Sequence, residues 1–190
     1  MALVAMVPAK ADICGAIAGN LVNNCGFEGG TNPNGNVPVD WTVSQWTFEE
    51  AISTSYVNSG SYSLRIANDE GQGGSLYNGA AILSQSFSDT ARATYQFTFY
   101  LYNAAGSNTN NQQFQAFWGT SANPTAANPV FVNNGGGAPS NPEWTEETFS
   151  VTGSGSNTIT FTSYNSPSWY YLDDVSVVET AAAPTPSRVS

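Results

Sequence analysis

Histidine is absent from this 190-residue chain and positive charge nearly so: Lys10, Arg65, Arg92 and Arg188 stand against 14 acids, a formal charge of -10. Without histidine the commonest general base is missing, and with it the Ser-His and Cys-His nucleophile arrangements and most transition-metal sites. Without a basic stripe nothing releases counterions from a phosphate backbone, so nucleic acid and anionic membrane surfaces are poor candidate partners. No run of 18 apolar residues occurs, and no segment reads as a membrane span. Cysteine is confined to Cys14 and Cys25. Their spacing is not CxxC, and with no other thiol or imidazole a zinc site is not supported. They read either as a disulfide closing a short loop, worth about 3 kcal/mol in the chain-entropy model, or as two buried thiols.

What remains is polar but uncharged. Charged residues make up 9% of the chain against a usual figure of about 25%, while aromatics reach 13% and Asn, Ser, Thr and Gly are abundant. The expected surface is rich in hydroxyls and amides, with rings set into it. The length suits one domain, which buries about 70% of its unfolded surface. At the start, "ALVAMVPAKA" ends in Ala9-Lys10-Ala11, an A-x-A type of cleavage site. Residues 1–11 are therefore expected to be the remnant of a signal peptide, against the alternative of an ordinary apolar N-terminus. Residues 12–179 should form the domain, and 180–190 a Pro- and Ala-rich disordered tail. The expected location is secreted, extracellular or at the cell surface.

Short alternating segments recur between Gly, Asn, Ser and Pro clusters, which is the pattern of a sandwich or barrel. Strands are predicted near residues 19–23, 42–44, 52–54, 63–67, 81–87, 94–102, 112–118, 144–151, 156–163 and 169–178, with a short one at 130–132. Ten strands imply two packed sheets. In "TYQFTFYLYN" the set Tyr95, Phe97, Phe99 and Leu101 should face the core, with Gln96, Thr98, Tyr100 and Tyr102 opposite.

One strand carries a puzzle. In "SPSWYYLDDVSVV" two carboxylates, Asp173 and Asp174, interrupt residues of strong β preference. Strand alternation sends neighbours to opposite faces, so at least one aspartate should meet apolar surroundings. An ionised carboxylate taken out of water is costly unless paired, hydrogen-bonded or metal-bound. With so few cations in the chain, a bound metal ion is a better candidate than a salt bridge.

Four segments occur in order: "NLVNNCGFEGG" with "VPVDWTV", "VNSGSYSLRIAN", "ILSQSF" leading into "YQFTFYLYN", and "EWTEETFSVTGSGSNTITFTSYNSPSWYYLDDVSV". This succession, over about residues 19–178, resembles the galactose-binding-like jelly roll of extracellular carbohydrate-binding modules. It looks closer still to stand-alone domains of bacterial exported proteins of the PEP-CTERM type. The tail departs from that pattern, with Pro184-Thr185-Pro186 where Pro-Glu-Pro is the rule. The resemblance implies an all-β, two-sheet antiparallel jelly-roll β-sandwich. It also implies a structural calcium held by Glu28, by Asp173 or Asp174, and by a backbone carbonyl around Ser59 to Ser61, with Asp173 the preferred aspartate. Calcium takes six to eight oxygens at about 2.3 to 2.6 Å, which such a set begins to supply. The competing reading gives one aspartate backbone N–H donors and leaves the other solvated.

A saccharide site needs aromatic platforms beside hydrogen-bonding groups in a groove. Alternation places Arg65, Gln96, Tyr100, Tyr102 and Gln115 off the core, and Trp46 and Trp169 lie among loop-like residues. These seven are the candidate carbohydrate contacts, on what the resemblance implies is one concave sheet. Trp41, Trp118 and Trp144 read more readily as structural. The expected function is a non-catalytic carbohydrate-binding or polysaccharide-matrix protein, with a glycan as partner. One alternative is a surface adhesin or filament subunit that associates with itself or another surface protein. Another is a carboxylate-only glycosidase using Glu49-Glu50 or Glu146-Glu147, although adjacent strand carboxylates point apart.

Overall fold

In the computed structural model, "TYQFTFYLYN" becomes a central strand, β5 (Thr94–Asn103), and its alternation is realised in burial. Tyr95, Phe97, Phe99 and Leu101 are at most 2% exposed, whereas Gln96 is exposed and Tyr100 half-buried. The structure describes residues 10–33, 36–44, 50–67, 80–104, 112–119, 128–134, 143–165 and 168–185. The other strands are β1 (Thr42–Ser44), β2 (Ala51–Ser53), β3 (Ser63–Ile66), β4 (Ala81–Ser88), β6 (Gln112–Trp118), β7 (Phe131–Asn133), β8 (Thr145–Thr152), β9 (Ser156–Asn165) and β10 (Tyr170–Ala181). All pair antiparallel, in two five-stranded sheets ordered β1-β4-β9-β6-β7 and β2-β3-β10-β5-β8. The described residues contain no helix. The two-sheet sandwich expected from the pattern is the fold observed.

Aromatic packing fills the space between the sheets. Phe161 on β9 meets Phe99 edge-on at 5.2 Å, Phe114 at 5.7 Å and Phe97 at 6.0 Å between centroids. Each ring so buried contributes about 1.5 to 3 kcal/mol, plus a smaller term for the tilted geometry. Trp41 closes one end of the core, 4% exposed and stacked on Phe27 at 5.6 Å. Trp118 packs on Phe87, Tyr95 and Phe97, and its Nε1 donates to the Thr152 carbonyl at 3.0 Å. Both tryptophans are structural, as expected.

The strand expected at residues 19–23 does not form. Gly19 and Asn24 adopt left-handed φ values of 77° and 46°, which break any extended run. The segment instead borders β10 where β3 stops. Of β10, residues 170–172 alone pair with β3; beyond them Leu21 N–H donates to the Val177 carbonyl at 3.0 Å and Val175 N–H to the Cys25 carbonyl at 2.9 Å. Asn20 imitates a backbone partner, its Oδ1 accepting from Val177 N–H at 3.0 Å. Cys14 and Cys25 form a disulfide with Cα atoms 5.9 Å apart, fastening this segment to itself beside the sheet.

Candidate functional site

The outer face of the β2-β3-β10-β5-β8 sheet gathers most of the candidate residues, because register sets them in rows. Arg65 lies opposite Tyr171, and Tyr171 opposite Tyr102. Trp144 extends the row just before β8, its ring 5.6 Å from that of Tyr102. The Arg65 guanidinium carbon stands 5.0 Å above the centre of the Trp169 ring, a cation–π contact. The neighbouring row aligns Asp173, Tyr100 and Glu146. Burial, followed by the charge of Glu146, raises the Tyr100 pKa.

One ring that alternation could not foresee lies over this row. Tyr56, from the loop between β2 and β3, stacks on Tyr102 at 4.5 Å and tilts over Tyr171 at 4.8 Å. Tyr102 and Tyr171 are thereby only 8% and 4% exposed, while Tyr56 is 40% exposed. Tyr102 is a support beneath the surface; Tyr56, Trp144, Trp169 and Arg65 are what a ligand can reach. Tyr171 was legible from alternation against its neighbours Tyr170 and Leu172; Trp144, read from the sequence as structural, is brought to the face by the pairing of β8 with β5, and Tyr56 belongs to a loop without periodicity.

The remaining candidates separate. Gln96 shares the face but stands six residues from Tyr102 along β5, about 20 Å at strand rise. Gln115 belongs to β6 in the other sheet, so the single concave surface expected to hold all these residues is in fact two opposite faces. There Gln115 Oε1 accepts from Thr162 Oγ1 at 3.3 Å, Gln113 Nε2 donates to Asn134 at 2.9 Å, and the buried Thr160 hydroxyl has no partner among the described residues. Trp46 and Glu49 lie outside the described residues. Glu146 and Glu147 are opposite Tyr100 and the core residue Phe99 respectively, so the pair is divided between faces.

Below the aromatic row is the carboxylate clasp. β10 has a bulge after Asp173, and Asp174 takes a left-handed φ of 49°. The extra residue turns both carboxylates toward one loop, which corrects the expectation of opposite faces and of one solvated aspartate. Asp173 accepts backbone N–H bonds from Asn58 and Ser59 at 2.9 and 3.3 Å, and from Asp174 at 2.9 Å. Asp174 accepts from the Asn58 side-chain amide at 2.7 Å and the Ser59 hydroxyl at 2.6 Å. Glu28 Oε1 accepts the N–H groups of Ser61 and Tyr62 at 2.7 and 2.9 Å. Burial, then the charge of Asp174, pushes the Asp173 pKa up to about 8 against the pull of its three backbone donors. Asp174 is raised too, chiefly by burial.

Glu28, Asp173 and Asp174 offer the oxygen donors that calcium takes, but each Asp173 and Asp174 oxygen already accepts a hydrogen bond, which leaves Oε2 of Glu28 as the oxygen without one, and the three carboxylates do not converge within 4.8 Å of one another. The Asp12, Cys14 and Cys25 ligand atoms do cluster within 4.8 Å, but their sulfurs are joined and offer no thiolate. Beside the clasp an open cleft of about 450 Å³ is lined by Asp12, Ile17, Asn20, Glu28 and Asp40 among others, giving this end an acidic surface. No helix among the described residues is long and apolar enough to cross a membrane.

No family model matches the chain, and no curated protein does. Solved structures do. TmCBM61, determined in complex with β-1,4-galactotriose, is 14% identical with a TM-score of 0.51, covering 84% of this chain and 98% of its own. A structure described as Family 16 Carbohydrate Binding Module-2 is 15% identical with a TM-score of 0.52, covering 84% and 100%. The K1 cleaved adhesin domain of Lys-gingipain from Porphyromonas gingivalis W83 is 16% identical with a TM-score of 0.54, covering 82% and 96%. The fold is that of the jelly-roll carbohydrate-binding modules, and at these identities the likeness concerns fold alone.

Proposed function

We propose that the protein is a non-catalytic, extracellular carbohydrate-binding domain that holds a neutral glycan on the outer face of the β2-β3-β10-β5-β8 sheet. The observation that carries the reading is the accessible set Tyr56, Trp144 and Trp169 with Arg65, rings and a guanidinium along one row of a sheet. Such rings offer flat apolar surface to a sugar, and Arg65 offers donors to its hydroxyls. The likeness to modules such as TmCBM61, seen with a galactotriose, supports the class of ligand. The net charge of -10 disfavours polyanionic glycans. The disulfide agrees with an oxidising, exported setting. A structural calcium at Glu28, Asp173 and Asp174 completes the proposal, neutralising two buried carboxyl groups whose pKa values burial raises.

A second face has its own support. On the β4-β9-β6 side Thr162 lies opposite Gln115, and the unpartnered Thr160 hydroxyl is two residues along β9 on the same face, next to Ser84 and Phe117, a partly polar floor for sugar hydroxyls. A glycan-array screen of the parent, of Arg65→Ala with Trp169→Ala, and of Gln115→Ala with Thr160→Val separates the two. Loss of binding in the first pair alone supports the aromatic row, and loss in the second alone moves the site to the opposite sheet. A parent that binds no arrayed glycan and forms polymers as its concentration rises would reject glycan binding in favour of self-association.

A further inference from the structure

Residues 54–62 join β2 to β3 and cross the outer face of their own sheet. Of the fixings along this strap, six hydrogen bonds end on three carboxylates: from Asn58 N–H and Ser59 N–H to Asp173, from the Asn58 amide and the Ser59 hydroxyl to Asp174, and from Ser61 N–H and Tyr62 N–H to Glu28. A seventh bond runs from Gly60 N–H to the Lys10 carbonyl at 2.6 Å. Six bonds to three carboxyl groups that lie elsewhere in the chain, against one to a backbone carbonyl, make those groups the chief hold on residues 58–62. Tyr56 lies two residues from the first of these anchors, on the same strap. Its backbone carbonyl accepts from the Ser63 hydroxyl and its ring covers Tyr102 and Tyr171.

We infer that Asp174, Asp173 and Glu28 are positioning residues for the glycan face: by holding the 58–62 stretch they fix the Tyr56 ring over the Tyr102–Tyr171 pair. The carboxylates touch no ligand. Their effect reaches it through one loop, whose other course would leave Tyr56 in solvent and the two lower rings exposed. A strap held mostly by side-chain acceptors, outside the strand ladders, opens without breaking the sheet. The last step, from ring placement to affinity, rests on the glycan-binding reading; the first does not.

The test separates these steps. Asp174→Ala and Glu28→Ala are compared with the parent by tyrosine-ring NMR shifts and by amide hydrogen exchange, and affinity for β-1,4-galactotriose and a neutral-glycan array is measured beside them. Expected are Tyr56 ring signals moved to those of an unstacked tyrosine, exchange across residues 55–62 faster by at least tenfold, and unchanged protection in β5 and β10. Glu28→Gln, which keeps an oxygen acceptor for Ser61 and Tyr62, restores the parent shifts. On the array each alanine variant loses as much affinity as Tyr56→Ala, and pairing it with Tyr56→Ala costs nothing further. Parent-like ring shifts in Glu28→Ala, and in Asp174→Ala wherever that variant folds, overturn the positioning role. A parent blind to every glycan removes the function while the ring shifts still decide the strap.

Discussion

Tyr56 lies flat on Tyr102, ring centroids 4.5 Å apart and planes 26° from parallel, so a loop residue roofs a sheet residue that would otherwise meet solvent. The relationship changes what substitution at Tyr102 tests. Tyr102→Ala removes a support: glycan affinity falls because Tyr56 loses its seat, and stability falls by about 3 kcal/mol, at the low end for a buried aromatic because the site is near the surface. Tyr102→Phe keeps the stacking and should cost under about 1 kcal/mol, with affinity close to the parent's. Urea melts beside glycan titrations check both, and equal affinity in parent and Tyr102→Ala would mean that Tyr56 does not depend on the ring beneath it.

Acid should stabilise the metal-free protein. The folded pKa of Asp173, about 8, lies above that of an unfolded aspartate near 3.9. Between these values the folded state keeps a proton that the unfolded state has lost. Stability therefore declines as pH rises from about 4 to 8, by up to about 1.4 kcal/mol per pH unit. Calcium reverses the trend, since its ligands must be ionised: it should raise the melting temperature strongly at pH 8 and little at pH 5. Melts in chelator and in added calcium at both pH values are the measurement. Protein shown to be metal-free whose melting ignores calcium throughout would leave the clasp to hydrogen bonds and a shared proton.

The sheets were legible in the sequence because burial there obeys a period of two. Phe97, Phe99 and Leu101 could be assigned to the core, and Arg65, Tyr100 and Tyr102 to its back, from alternation alone. Alternation failed at Asp174, where a bulge inserts one residue and nothing local announces it. It also could not say which strands share a sheet, which is why Gln115 and Tyr102 were set on one surface though they occupy opposite ones. Asn20 shows a third limit: an amide side chain replaced a backbone partner, so a residue in a strand-like pattern stayed outside the ladder. Tyr56 was invisible because six of the hydrogen bonds along its loop are to carboxylates distant in sequence, the nearest being Glu28.

Reduction should loosen the N-terminal segment before the sandwich. The Cys14–Cys25 bridge closes a loop with a sequence separation of 11, worth on the order of 2.5 to 3 kcal/mol in the chain-entropy model. A Cys14→Ser/Cys25→Ser variant is expected to melt several degrees lower at an unchanged pH. Hydrogen exchange should accelerate first at Leu21 and Val175, whose N–H groups bond between this segment and β10. Uniform acceleration across β5 and β9 would instead make the bridge part of the global fold.

Gly60 is the position where the strap admits no side chain. Its φ of 68° lies in the left-handed region, and an added Cβ would fall against the Glu28 carboxylate. Gly60→Ala therefore meets two penalties: about 1 to 2 kcal/mol for a non-glycine residue in that conformation, and displacement of the group that accepts from Ser61 and Tyr62. The two can be separated. With Glu28→Ala as background the steric part vanishes and only the backbone cost remains, so Gly60→Ala should destabilise the parent by more than it destabilises the Glu28→Ala protein. Equal losses in a double-mutant cycle of denaturant midpoints would show that Glu28 yields freely and does not hold the strap against Gly60.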